Sequence, residues 1–454
     1  MGFRKDFLWG AATAAYQVEG GAFEGGKGRS IWDDFCLTPG AVYGGHTGET
    51  ACDHYHRFRE DIALMANLGI RNYRFSLSWP RLLPTGTGTP NEEGLRFYDE
   101  LIDCLLAHGI RPFITLYHWD LPAALYRRGG FLNPAFPQWF EAYAELVAGR
   151  YGDRVKDFFT FNEPECIVGL GYVEGAHAPG LKRPARDAIP ASYHIHLAHA
   201  LATRRIKALV PGAKVGFVGC GSASLPVDDT PQAIEAARKA AFSMPEAAAA
   251  RWPWSPSWWL DPVMFGTYPA DGLRQFGQYL PHGFETTLAD LRQPLDYCAF
   301  NFYEGHRVTF DERTGPVQQP LPPGHPRTAC DWPVMPEALY WGPRFLWERY
   351  HLPVLVTENG MSAHDAVSLD GQVHDPNRVD FMHRYLLALR RAADDGVNVA
   401  GYFAWSLLDN FEWSSGYRER FGLIYVDYAT QTRTPKDSAL WYQRIAETNG
   451  EALS

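Results

Sequence analysis

Thr160-Phe161-Asn162-Glu163-Pro164 sets one acid between an Asn and a helix-breaking Pro, directly after an apolar run. Val354-Leu355-Val356-Thr357-Glu358-Asn359-Gly360 repeats the design: a short β-branched run, a single carboxylate, then turn residues that stop the strand. Each stretch reads as a strand that ends in an acid. If the two strands run parallel in one closed sheet, both carboxylates project into a single cleft although 195 positions separate them. Such a pair is the machinery of glycoside hydrolysis.

Working outward, the same plan recurs along the chain. A helix from about Tyr55 puts Phe58, Ile62, Met65 and Leu68 on one face, stops at Gly69, and feeds a strand over Ile70 to Phe75. Glu93 to His108 repeats it with Leu95, Tyr98, Leu101, Ile102 and Leu105, stops at Gly109, and feeds Pro112 to Tyr117. Pro137 opens the next helix, before a strand over Val155 to Phe161. Arg74, His118 and Asn162 then fall at strand ends spaced 44 residues apart. With Phe7 to Tyr16, Ala213 to Gly219, Asp296 to Phe302, Pro353 to Thr357 and Val399 to Trp405, eight strands are expected. The fold class that follows is α/β: a single (β/α)8 TIM barrel spanning 1–454, with long loops over its C-terminal face. Two wide gaps, Gly221 to Leu295 with Trp252, Trp254, Trp258 and Trp259, and the Pro-rich Glu304 to Tyr340, read as loop insertions over the mouth.

Composition narrows the partners. Hydrophobic residues at 46% and charged residues at 21% support a large core in a globular chain. A net charge of −10 disfavours nucleic acid and anionic membranes. The longest run without Asp, Glu, Lys or Arg, Ala188 to Thr203, is too short and too rich in His to span a bilayer. Seven Cys without close pairs, no Asn-x-Ser/Thr site and an N-terminus leading straight into the first strand point to a reduced, cytoplasmic protein. Gly21 to Gly28 nearly spells a phosphate-binding loop, but Gly28 stands where Ser or Thr should hold magnesium.

Asn-Glu-Pro at 162–164, Thr-Glu-Asn-Gly at 357–360, and the opening Phe7-Leu8-Trp9-Gly10-Ala11-Ala12-Thr13-Ala14-Ala15-Tyr16-Gln17-Val18-Glu19-Gly20-Gly21 carry a resemblance to the family 1 glycoside hydrolases, the β-glucosidase family, over nearly the whole chain. The resemblance implies a retaining β-glucosidase that needs no cofactor or metal and acts on small β-glucosides or cello-oligosaccharides. Glu358 would be the nucleophile, kept ionised by Arg74 and oriented by Tyr303, and Glu163 the acid/base. Gln17, His118, Trp119, Asn162, Asn301, Tyr303, Glu412, Trp413 and Phe421 would contact the sugar, with Trp405 as its stacking floor. The runners-up are a sugar-binding pseudoenzyme, which the two intact Glu residues oppose, and a 6-phospho-β-glucosidase.

Two His-rich stretches offer a metal reading, His194-x-His196-x-x-His199 and Cys52-x-His54-x-His56. Both are read as structural, because the first lies on a predicted helix rather than at a strand end. Three positions depart from the family pattern: Glu165 where Trp is frequent, Phe302 in place of Tyr, and Glu304 in place of Thr or Ser. Glu165 is expected either to be exposed and inert or to line the leaving-group side, where it would favour polar or cationic aglycones or raise the pKa of Glu163.

Overall fold

The computed structural model describes residues 2–245 and 249–453. Eight parallel strands close into a barrel: β1 (Leu8–Ala12), β2 (Asn72–Ser76), β3 (Arg111–Tyr117), β4 (Asp157–Asn162), β5 (Lys214–Cys220), β6 (Tyr297–Asn301), β7 (Val354–Asn359) and β8 (Val399–Trp405). Each pairs with its neighbours in sequence, and β1 seals the ring against β8, with Leu8 opposite Gly401 and Ala12 opposite Trp405. β2, β4, β6 and β8 are buried along their whole length, as expected of strands covered on both faces.

The helix His54–Asn67 buries Phe58, Ile62 and Met65, and Glu92–Ala107 buries Leu95, Tyr98, Leu101, Ile102 and Leu105. Each is stopped by a glycine in the left-handed region, Gly69 and Gly109, both at φ 68°. The first strand is shorter than expected. It ends at Ala12, and Ala15–Val18 turns into a short helix, so Gln17 sits on that helix and not at the strand end. Thr13 and Ala15 anchor the turn, their backbone N–H groups donating to the Arg74 carbonyl at 2.9 Å and to Ser76 Oγ at 2.7 Å.

The wide gaps are more than loops. Ala223–Pro226, from the first, pairs in parallel with Gly305–Asp311, from the second, which pairs antiparallel with Gly315–Gln318. The three strands form a small sheet beside the barrel. Trp252, Trp258 and Trp259 are core: all three are fully buried, with Trp258 Nε1 donating to Ser192 Oγ at 3.0 Å and Trp259 Nε1 to the Pro253 carbonyl at 2.7 Å. Lys27, from the near phosphate-binding loop, points instead to Asp33 at 3.1 Å. Among the described residues, no helix is long and apolar enough to cross a membrane.

Candidate active site

The ends of β4 and β7 deviate from regular pairing where the acids stand. Pairing of β7 with β6 runs Val356 to Phe300 and then Glu358 to Asn301, so β7 carries one extra residue. Pairing of β4 with β5 shifts likewise between Phe159 and Asn162. Such bulges re-aim the following side chain. Glu163 completes the turn by taking left-handed backbone angles, φ 50° and ψ 68°, and Pro164 starts the short helix Pro164–Val168 behind it.

The two carboxylates occupy opposed environments. Glu358 Oε1 accepts from Arg74 Nη1 at 2.6 Å, and Oε2 accepts from the Tyr303 hydroxyl at 2.7 Å. Burial raises the Glu358 carboxyl above its usual range, and the Arg74 charge and both hydrogen bonds oppose that rise. Glu163 has no cationic partner among the described residues: its Oε1 accepts from Asn301 Nδ2 at 2.7 Å. Burial, and behind it repulsion from Glu358, pushes Glu163 up to about 7. One acid is therefore held for ionisation and the other for a proton.

Amides join the pair. Arg74 Nη2 donates to Asn162 Oδ1 at 2.6 Å, and Asn301 Nδ2 reaches the same oxygen at 3.1 Å while Thr357 Oγ1 donates to Asn301 Oδ1 at 2.6 Å. Asn162 Nδ2 donates to His118 Nε2 at 3.1 Å, which leaves the imidazole proton on Nδ1. His118 is held neutral, its pKa lowered well below the ordinary value by burial and by the Arg74 charge. Its Nδ1 and the Oε1 of Gln17 are buried without protein partners. A donor and an acceptor so placed are what sugar hydroxyls would satisfy.

The loop after β8 supplies the rest. Gln17 Nε2 donates to Asn410 Oδ1 and the Phe411 carbonyl, both at 3.0 Å, and to Glu412 Oε2 at 3.3 Å. Burial, followed by the charge of Glu358, pushes Glu412 up to about 8. Trp405 is joined to Ser406 by a cis peptide bond and stacks on His118 with centroids 5.8 Å apart. Trp413 stacks on His118 and on Tyr16. Trp119 spends its N–H on the Asn162 carbonyl at 3.0 Å and packs against Trp413 at 4.6 Å. Like Glu163, both Trp119 and Trp413 have left-handed backbones, at φ 76° and 51°. Phe421 is buried behind Tyr303, 6.2 Å away, so it supports that ring.

Several contributors escaped the sequence reading. Trp332, from the second insertion, packs on Tyr303 at 5.0 Å and on Phe421 at 5.8 Å. Asp409 anchors the loop after β8 by accepting from Lys436 Nζ and Arg420 Nη1, each at 2.7 Å, and Asp365 takes Lys436 at 2.6 Å and Arg378 at 2.7 Å. These charges are scattered over 71 positions and look like surface residues in the sequence. Arg418, the other cation near this loop, is half-exposed and paired with Glu419 at 2.9 Å.

Glu165 matches neither expectation. It is fully buried, turned toward the end of β5 with Oε2 3.8 Å from Cys220 Sγ, and burial raises its pKa well above the usual range. The His-rich stretches do not converge. His194, His196 and His199 place their Nδ1 atoms on the Phe131 carbonyl, the Tyr268 hydroxyl and Thr160 Oγ1 at 2.7, 2.9 and 2.7 Å. Cys52 faces the Asp409 carbonyl, His54 faces Asp61, and His56 faces Asp53.

The sequence model of glycosyl hydrolase family 1 matches residues 1–451. Beta-glucosidase A of Thermotoga maritima is 42% identical over 99% of this chain and 98% of its own length. The 1,4-beta-D-glucan glucohydrolase of Thermotoga neapolitana is 41% identical, with 99% of each chain covered. The solved structure of the beta-glucosidase from Thermotoga maritima in complex with deoxynojirimycin superposes with a TM-score of 0.90 at 41% identity, again over 99% of each chain.

Proposed function

The chain belongs to glycosyl hydrolase family 1 and is a retaining β-glucosidase, and we propose that Glu358 is its nucleophile and Glu163 its acid/base, acting in one catalytic domain that spans 1–454. The observation that supports these roles best is the contrast between the two carboxylates. Glu358 holds the guanidinium of Arg74 and the hydroxyl of Tyr303, whereas Glu163, held near 7 by burial, keeps a proton. Ionised Glu358 attacks the anomeric carbon while Glu163 protonates the departing oxygen, giving a glycosyl-enzyme. Glu163, now a base, takes a proton from water, which attacks the same carbon and frees Glu358.

In this reading Gln17, His118, Asn162, Glu412 and Trp413 meet the sugar hydroxyls, and Trp405 forms the floor. Trp119, Asn301 and Phe421 act mainly by holding their neighbours, as their contacts suggest. The substrates are small β-glucosides and cello-oligosaccharides, and the site of action is the cytoplasm. A panel of nitrophenyl glycosides, with proton NMR of the first-formed sugar, tests activity and stereochemistry together. β-Glucose should appear first, and an α product would overturn the assignment.

Phosphorylated sugars should be poor substrates. Glu412, with a pKa near 8, supplies no cation for a phosphate dianion, Arg420 and Lys436 are committed to Asp409, and Arg418 is paired on the surface. Glu412 carries its proton at neutral pH, so what disfavours the dianion is the lack of a cation to pair with it. Comparable kcat/KM for nitrophenyl β-glucoside and its 6-phosphate would refute this preference.

A further inference from the structure

The thiols of Cys166 and Cys220 meet beside the carboxyl of Glu163. Cys166 lies in the short helix that Glu163 precedes, and Cys220 ends β5. Their sulfurs are 3.7 Å apart, and ligand atoms of Glu163, Cys166 and Cys220 all lie within 4.8 Å of one another. Two sulfurs bound at about 2.3 Å to one tetrahedral ion stand about 3.8 Å apart, so the pair already has the spacing of a thiolate edge. Among the described residues, this is the one group of three or more His, Cys, Asp or Glu side chains that converges so tightly. Both thiols are free of disulfides, and Cys166 is partly exposed, which gives an ion a way in.

From this geometry we propose that Glu163, Cys166 and Cys220 form a site for a thiophilic divalent ion of the Zn2+ or Cd2+ class, and that the ion stops hydrolysis by occupying the acid/base. Two sulfurs and one carboxylate select against Mg2+ and Ca2+, which take oxygen ligands. With Glu163 in its acid form, two S–H bonds and one O–H bond break, three bonds to the metal form, and three protons leave to solvent. No oxidation state changes. The fourth tetrahedral position remains for water. Each thiol must give up its proton to ligate, so only an ion with strong thiolate affinity binds there. The Glu165 carboxyl stands beside the pair, its Oε2 3.8 Å from Cys220 Sγ.

Metal binding requires only this cluster; inhibition rests also on the role proposed for Glu163. Both are tested on the full-length enzyme under a non-chelating reductant. Cd2+ alone is titrated and read by thiolate-to-metal charge-transfer absorbance, and Zn2+ is titrated against initial rates on nitrophenyl β-glucoside. One equivalent of Cd2+ should saturate the band, and Zn2+ inhibition should reverse with EDTA. Removing a supporting partner alone typically costs a metal site about 10–100-fold, so Cys166→Ser and Cys220→Ser should each weaken both effects by at least about tenfold, compared with each variant's own metal-free rate. Cys104→Ser, at a thiol remote from the cluster, should leave them intact. Absence of the band in the wild type, or unchanged metal sensitivity in both cluster variants, overturns the site. Should those variants misfold, anomalous scattering from a Cd2+-soaked wild-type crystal decides, since density anywhere but between the two sulfurs is equally fatal. A saturated band with undiminished turnover would keep the site and overturn the acid/base role of Glu163.

Discussion

Tyr303→Phe removes a single oxygen from the site and leaves the ring packed between Trp332 and Phe421. That oxygen donates to Glu358 Oε2 at 2.7 Å, while Arg74 holds the other carboxylate oxygen at 2.6 Å. Losing a hydrogen bond to a charged group costs about 1.5–3 kcal/mol, and the cost falls on the ionised form of Glu358 alone. At about 1.36 kcal/mol per pKa unit, the Glu358 pKa should rise by roughly 1–2 units. Because Glu358 must be ionised to attack, the acid limb of kcat/KM should move to higher pH by that amount. The alkaline limb, set by loss of the Glu163 proton near 7, should move far less, so the bell narrows from its acid side. The assay is kcat/KM for nitrophenyl β-glucoside across the pH range, with stability checked at each pH. A variant that is slower at every pH with its acid limb in place would refute the argument, because the hydroxyl would then act on the sugar or the fold and not on Glu358.

Glu163→Ala should lose on the order of 10²–10⁴-fold with poor leaving groups and far less with dinitrophenolate, which departs without a proton; equal losses across a leaving-group series would contradict its role. Glu358→Gly should be inactive and regain turnover with azide, yielding an α-glycosyl azide detectable by NMR, whereas a β-azide would place the vacated face elsewhere. Lys436→Met leaves Asp365 and Asp409 short of a buried cation, an imbalance worth about 3–5 kcal/mol. Urea unfolding measures that loss, and a change within about 0.5 kcal/mol would show that Arg378 and Arg420 suffice.

Much of this molecule could be read along the chain because a barrel repeats a local pattern. The helix stops at Gly69 and Gly109 and the placing of His118 and Asn162 at strand ends are short-range signals that reappear in the structure, whereas Arg74 lies inside β2, two residues before its end. The failures share a cause. Ala11, Ala12, Ala14 and Ala15 fit strand and helix alike, so the end of β1 was decided by hydrogen bonds to Arg74 and Ser76, far away in the chain. The pairing of Ala223–Pro226 with Gly305–Asp311 is equally remote. Trp252, Trp258 and Trp259 look the same in sequence whether they stack on a sugar or fill a core. Buried charges such as Asp409 and Lys436 announce themselves only when their partners are known.

The left-handed backbones of Trp119, Glu163 and Trp413 bear on how such a protein can change over generations. Each costs on the order of 1–2 kcal/mol relative to a residue at ease there, and glycine would be at ease in all three places. At Trp119 and Trp413 that relief is outweighed by the packing of the rings, since truncating a buried Trp costs about 3–5 kcal/mol. A lineage selected in the laboratory only for survival of heat should therefore keep its rings and relax Glu163 first, so the walls of the cleft would outlast its acid.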